Sequence, residues 1–421
     1  KEMAEGRLTE EARNTLLHEM TDEVAQIVLE DNRFQALGLS IAQTGGVDDL
    51  ASYVRLIGTL EGAGHLDRRV EGLASDQELL RRAGDQLGLT RPELAVLVST
   101  AKLTLQDAIE HSQLGADPAL EDDLLRAFPP QMQQRHADAI RAHQLRNEII
   151  ATKLANRIVN RLGVILPFTL AEEASCTLDE IARAFVIAEH LFDVRKLWDD
   201  IDAANVSEQA RLALYRQVAS AMAGHIGDTH RSLPTDLRPA GAITMLSPAI
   251  ETLGRDVDSL LQPEPARRAS NLLEELMELG VSKALAARVV MLVKMDGAIG
   301  LAMLARNLGQ EELGIARAFT ELGEALGIDW LQSTPARMTP RDPWERLMVT
   351  GSSRDLQQMR LTFLSNAVYK ESHAFVSEWL RRHDAAVIKY RQLIARAQAA
   401  SSPTAAMVAE LTGQARALLA R

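Results

Sequence analysis

Apolar residues recur at three- and four-residue steps through most of this sequence, a spacing that gathers them on one face of a helix but scatters them over both faces of a strand. The pattern is sharpest after Leu89-Thr-Arg-Pro-Glu93. Thr90 can cap a helix there, Pro92 suits its first turn, and Glu93 can reach back to the cap amide. Leu94, Leu97, Val98, Ala101 and Leu105 then fall on one side. Aromatic residues make up only 4% of the chain, and Leu and Ala dominate the apolar set, so helix formers build the core. The expected fold class is all-α: a multi-helix array of two or more packed helical subdomains. With 421 residues and 46% of them hydrophobic, cores of that kind are within reach.

Breakers divide the array. Thr9 can cap a first long amphipathic helix whose apolar stripe includes Leu16, Leu17, Met20, Val24, Ile27 and Val28, interrupted at Gly45 and Gly46. A weaker helical stretch over 53–60 ends in the cluster Gly62, Gly64 and Gly72. Phe128-Pro129-Pro130 breaks a later segment, after which one long helix is expected over 135–162, stopping at Gly163. A second capping box, Thr177 to Glu180, opens a helix over 181–190. Proline, glycine and serine gather over 232–249, which reads as an internal boundary or a long exposed loop. Further breaks fall at 333–343 and 399–403, around helices that include 344–348 and 375–394. The domains expected are 1–72, a connector; 73–235, a first helical domain; and 236–421, a second helical domain with the carboxy-terminal helices.

One internal echo stands out. Ile181-Ala-Arg-Ala-Phe185 and Ile315-Ala-Arg-Ala-Phe319 are identical, and each leads into an Asp and Trp neighbourhood, Asp193 to Trp198 and Asp329-Trp330. A duplicated helix pair and chance identity in an Ala-rich chain both account for it; a solenoid would need three or more units.

Several function classes are disfavoured. A net charge of -12 opposes a phosphate backbone, so nucleic acid is not an expected partner. No apolar run approaches the roughly 18 to 20 residues of a membrane span. Cys176 is the only cysteine; it cannot form an internal bridge, which suits a reducing compartment such as the cytoplasm. Beside a helix cap its thiolate could be stabilised, but a small packed residue is the default. No G-x-G-x-x-G or phosphate-cradling G-x-x-x-x-G-K-[ST] occurs, and Gly62 and Gly64 follow no strand, so no dinucleotide site is expected in these residues. His136 and His143 could share a helix face, yet no H-E-x-x-H pair exists and no metal is assigned. Glu172-Glu173, Asp199-Asp200 and Glu274-Glu275 diverge by about 100 degrees on a helix, which makes solvated faces the default for each pair.

Residues 141–161 form a basic island in an acidic chain. On an ideal helix Arg146, Lys153, Arg157 and Asn160 share one side, and Ala151, Leu154, Ile158 and Leu162 lie opposite. A solvated or salt-bridged face competes here with an interface to an acidic domain or subunit, and small-anion binding is a third reading. These four residues are the candidate interface.

Leu89-Thr-Arg-Pro-Glu-Leu-Ala-Val-Leu97, Phe128-Pro-Pro130 and His143-Gln-Leu-Arg-Asn-Glu-Ile-Ile-Ala-Thr-Lys-Leu-Ala-Asn-Arg-Ile-Val-Asn-Arg161 resemble, in sequence and order, the large bacterial NAD-specific glutamate dehydrogenases. Glu19-Met-Thr-Asp-Glu-Val24 with Leu29-Glu-Asp-Asn32 resembles the segment that follows the nucleotide-binding domain in that family. The likeness runs from about Leu8 past Asp193-Val-Arg-Lys-Leu-Trp198 and, more loosely, through Ile328-Asp-Trp-Leu331 into the final helices. It implies a piece of a longer subunit, as does a chain starting at Lys1 without an initiator methionine. The parent reaction implied is oxidative deamination of glutamate to 2-oxoglutarate and ammonium with NAD. No catalytic or coenzyme-binding residue carries over, because none of those motifs occurs here, so the chain alone is expected to be inactive. Its expected partners are its own catalytic domain and other copies of the subunit. A stand-alone helical scaffold presenting an apolar groove is the alternative. A helix-turn-helix regulator is a weaker one, since Asp179 and Glu180 would face the nucleic acid.

Overall fold

Thr90, Pro92 and Glu93 start a helix as their spacing predicts, and in the computed structural model that helix spans Arg91–Glu110. The structure describes residues 3–334, 338, 343–367, 371–400 and 403–421. Among them are 22 α-helices and two short 3-10 turns, and no strand; the fold is all-α. Most of the two expected breaks at 333–343 and 399–403 lies outside the described residues.

The chain forms two compact units, one of residues 1–183 with 238–240 and one of 184–237 with 241–421, so the division falls within the helix Leu178–Leu191. In the first unit Arg91–Glu110 packs along Arg146–Leu162, and Thr21–Thr44 lies against both. Leu94, Leu97, Ala101 and Leu105 on one of these packed helices and Ala151, Leu154 and Ile158 on the other are buried. These are the two apolar stripes read from the sequence, and burying side chains of this size is worth about 1.5 to 3 kcal/mol each.

The single helix expected over 135–162 is in fact two, Pro130–Arg141 and Arg146–Leu162. At the break the Leu145 amide donates to His143 Nδ1 (3.1 Å), and Arg146 Nε donates to the Gly115 carbonyl (2.9 Å). Local side-chain acceptors thus replace the helical ladder. Gly115 suits that close approach, since a Cβ on it would lie 3.1 Å from Asn147 Cα and would press on the Asn147 side chain. The helix does stop at Gly163, whose φ of +87° favours glycine.

Thr9 caps the helix Glu10–Glu19, but the long first helix divides there, and a second runs Thr21–Thr44. Its stripe divides too: Leu16 and Met20 are buried and Ile27 is half-buried, whereas Leu17, Val24 and Val28 are exposed. Leu50–Gly62 is more firmly built than its sequence suggested, with Tyr53, Leu56, Ile57 and Leu60 all buried.

In the second unit Pro343–Leu364 packs along Ala405–Leu419, Glu312–Leu326 along Ser372–Arg382, and Glu208–Ser232 along Lys283–Lys294 and Ala298–Leu308. The stretch over 232–249, expected as an internal boundary or a long exposed loop, is largely the start of a helix, Pro239–Leu260, with Pro248 inside it. Ala242, Leu246, Ala249, Ile250 and Leu253 bury one face of that helix, which offsets a proline penalty of about 3 kcal/mol. Residues 375–394 form two helices, Ser372–Arg382 and Asp384–Gln398, parted at His383.

The sequence echo has a structural counterpart. Leu178–Leu191 is followed by Asp193 in the left-handed region and then Val194–Ala203, which carries the buried Trp198. Glu312–Leu326 is followed by left-handed Gly327 and then Ile328–Ser333, which carries Trp330.

Candidate functional site

The helix Arg146–Leu162 carries the four candidate interface residues, and each has its place within the first unit. Arg146 binds the Gly115 carbonyl. Lys153 Nζ lies 3.4 Å from the Asp31 carboxylate, on Thr21–Thr44. Arg157 forms a two-pronged pair with Asp123, one prong at 3.1 Å, and Asp123 is only 4% exposed. Asn160 is buried where its helix crosses Thr21–Thr44 at Gly38, and a Cβ on Gly38 would stand 3.3 Å from Asn160 Cα. Only at a small residue can two helix backbones come that close.

Lys153 and Asn160 therefore belong to the seat of Thr21–Thr44, and the sequence pattern missed the rest of that seat. The buried Arg161 places its guanidinium 4.2 Å from the centre of the Phe34 ring, a cation–π contact. Lys102, on Arg91–Glu110, faces Asp31 as well; burial pulls its ammonium down to about 8, against the opposing pull of Asp31. Arg91 reaches Gln43 (3.1 Å), and the Tyr53 hydroxyl donates to the Ala42 carbonyl (3.0 Å). Glu23 accepts from the Gln131 amide (3.2 Å) in the first turn of Pro130–Arg141, and Glu19 pairs with Arg135 (3.1 Å). A carboxylate there complements the helix amides and dipole. The contacts of Arg161 with Phe34, Gln131 with Glu23 and Arg135 with Glu19 join residues more than a hundred positions apart, so helical periodicity could not show them.

The family described as "Glutamate dehydrogenase, C-terminal" matches residues 86–416. This chain belongs to that family. The family described as "Bacterial NAD-glutamate dehydrogenase, catalytic domain" matches residues 1–42. Proteins named NAD-specific glutamate dehydrogenase are 30% identical over 403 residues in Halomonas elongata and 30% identical over 411 residues in Pseudomonas aeruginosa. One in Mycobacterium tuberculosis is 28% identical over 344 residues. These alignments cover 93%, 96% and 81% of this chain but only 25%, 25% and 21% of the relatives. The chain thus spans about a quarter of their length. The stretch matched to the catalytic domain holds Glu10–Glu19 and most of Thr21–Thr44, and it rests on helices of the carboxy-terminal family.

The other residues singled out in the sequence stay apart. His136 sits at a kink in Pro130–Arg141 and His143 lies beyond that helix, so they share no helical face. No group of three metal-ligating side chains occurs among the described residues. Burial, then the Glu180 and Asp179 carboxylates, push the Cys176 thiol up to about 11, the opposite of the lowering that a reactive thiolate beside a helix cap needs. Glu274 and Glu275 are exposed, and Asp200 pairs with Arg288. Among the described residues no helix is long and apolar enough to cross a membrane.

One polar cluster had gone unread. In the second unit Asp228 is buried, accepting from the Gly300 amide (3.0 Å), Ser232 Oγ (3.2 Å) and Gln357 Nε2 (3.4 Å). Burial pushes its carboxyl up to about 6, against the pull of the Gly300 amide and Arg231. His225 is fully buried; its Nε2–H donates to the Leu292 carbonyl at 2.9 Å, and burial lowers its basicity. The signal was there: His225 and Thr229 occupy the buried stripe of Val218, Met222 and Ile226, where an apolar residue is the default.

Proposed function

We propose that this chain is the carboxy-terminal helical part of an NAD-dependent glutamate dehydrogenase, and that it serves the enzyme by regulation or assembly. The parent reaction is glutamate, NAD and water to 2-oxoglutarate, ammonium and NADH. NAD belongs to the parent's catalytic domain, and the chain alone is inactive. Its partners are that domain and further copies of the subunit in the cytoplasm, with no role for nucleic acid or membrane.

The seating of residues matched to the catalytic domain on Arg91–Glu110 and Arg146–Leu162 carries this reading. A helix clamped at Gly38, Phe34 and Asp31 passes restraint along its length, so the helical body can limit the opening and closing of the domain joined to it. The exposed Leu17, Val24, Val28 and Leu29 on the same helices support an apolar contact with the remainder of that domain.

The test is made in the full-length dehydrogenase. Gly38→Leu drives a side chain into Asn160, and Arg157→Glu sets two carboxylates against each other at Asp123. Each should change turnover or assembled size by more than about twofold. Unchanged kinetics and size for both, in folded enzyme, would overturn the coupling role, and glutamate deamination by the chain alone would overturn its inactivity.

A further inference from the structure

A cavity of about 730 Å³ lies in the first unit, walled by Leu50–Gly62, Arg91–Glu110, Leu166–Ala174 and the start of Leu178–Leu191. Much of the wall is apolar, including Leu56, Leu60, Phe168 and Leu178. Arg55 is its single arginine, and no lysine lines it.

The chemistry of Arg55 is incomplete. Its Nε–H is shielded from solvent and meets no acceptor, and among the described residues no carboxylate pairs with its guanidinium. Four hydroxyl donors of the wall are committed elsewhere: Thr59 to the Arg55 carbonyl, Thr104 to Thr100, Ser112 to Ile109 and Thr177 to Glu180. His111 is engaged with Asp107 on its own helix. A cationic donor without a partner in a partly apolar wall is costly, and a planar carboxylate matches its fork.

The charge count narrows the ligand. One arginine answers one negative charge, while Asp107, Glu172 and Asp179 also line the cavity and repel a second. A phosphate would call for more donors than Arg55 alone supplies.

We propose that this cavity binds a small monocarboxylate, its head on the Arg55 guanidinium and its apolar body against Leu56, Leu60 and Phe168. Binding turns the guanidinium about its outer torsions to bring the shielded Nε–H to the ligand. The occupant then abuts Leu50–Gly62, whose Tyr53 holds the Ala42 carbonyl, so occupancy bears on the segment matched to the catalytic domain.

Calorimetric titration of the chain with hexanoate, hexanamide, adipate and inorganic phosphate tests this. Hexanoate should bind at least tenfold more tightly than the other three, and Arg55→Met should weaken it at least tenfold with little change in the unfolding midpoint. Ala108→Phe, which fills the cavity and leaves Arg55 in place, should abolish binding and decides the matter if Arg55→Met fails to fold. Equal binding of hexanamide, tighter binding of adipate or phosphate, hexanoate binding that survives either substitution, or no binding of hexanoate would each overturn it.

Discussion

The Arg161 guanidinium lies 4.2 Å from the centre of the Phe34 ring, joining a helix of the carboxy-terminal family to one matched to the catalytic domain. Arg161 is buried, so the ring does more than decorate a surface charge; it shields a cation already removed from water. Phe34→Leu keeps apolar bulk but loses the negative face of the ring. It should cost about 1 to 2 kcal/mol, read as a lower urea midpoint. A midpoint unchanged within error would mean that Arg161 is satisfied without Phe34.

Arg157 and Asp123 form a second fastening, between Arg146–Leu162 and the short helix Glu121–Leu125. Their side chains are 14% and 5% exposed, so removing one strands the other in a poorly solvated place. Asp123→Leu or Arg157→Met alone should therefore cost about 3 to 5 kcal/mol, and the double variant carrying both much less than the sum. Denaturant unfolding of the four proteins measures the coupling. Strict additivity would show that the pair contributes nothing as a pair.

How far such relationships can be read from sequence depends on their range. Thr90 with Glu93 and Thr177 with Glu180 are three residues apart; the first capping box forms in full, and at the second the Thr177 amide and hydroxyl both donate to the Glu180 carboxylate. Gly163 stops its helix for the same local reason. The break after Arg141 was hidden, because it depends on Gly115, about thirty positions away, as the acceptor for Arg146. Pro248 misled in the other direction, since a buried face overrides a local breaker. Lys153 and Asn160 could be picked out as members of one helical face, but their partners Asp31 and Gly38 could not. Nothing in a 3.6-residue period says which helix lies across the way. Arg55 was missed entirely, being a lone arginine on a weakly patterned helix until the cavity beside it is seen.

Asp228 sets a pH dependence for the second unit. Its folded carboxyl titrates at about 6, against an ordinary 3.8. Between those values the folded state holds a proton that the unfolded state has released. Stability should therefore rise as pH falls from above 6 toward 4, by roughly 3 kcal/mol if the group acts alone. Asp228→Asn keeps an acceptor for the Gly300 amide and removes the ionisation, so it should flatten this part of the profile. Thermal unfolding of both proteins at pH 4.5 and 7 measures the difference, and an equal slope in the variant would rule out Asp228 as its source.

Glu93 works with the opposite sign in the first unit. Burial alone would raise its carboxyl, but hydrogen bonds from the Thr90 amide and hydroxyl and from Arg82 outweigh burial and hold it below its usual 4.5. The folded state therefore sheds this proton more readily than the unfolded one, so the stabilisation is complete above pH 4.5 and is lost as pH falls through the lowered value. Glu93→Gln should cost about 1 to 2 kcal/mol at pH 7 and progressively less in acid, while Thr90→Ala removes the cap that both share. Amide exchange on peptides from each unit separates the two responses. Relative to the intrinsic exchange rate at each pH, acidification from pH 6 to 4 should raise protection around Asp228 and Gly300 with no comparable gain over Arg91–Glu110. A fall in protection at Gly300 over that interval would reverse the sign assigned to Asp228, and equal loss of stability by Glu93→Gln at pH 3 and pH 7 would reverse that assigned to Glu93.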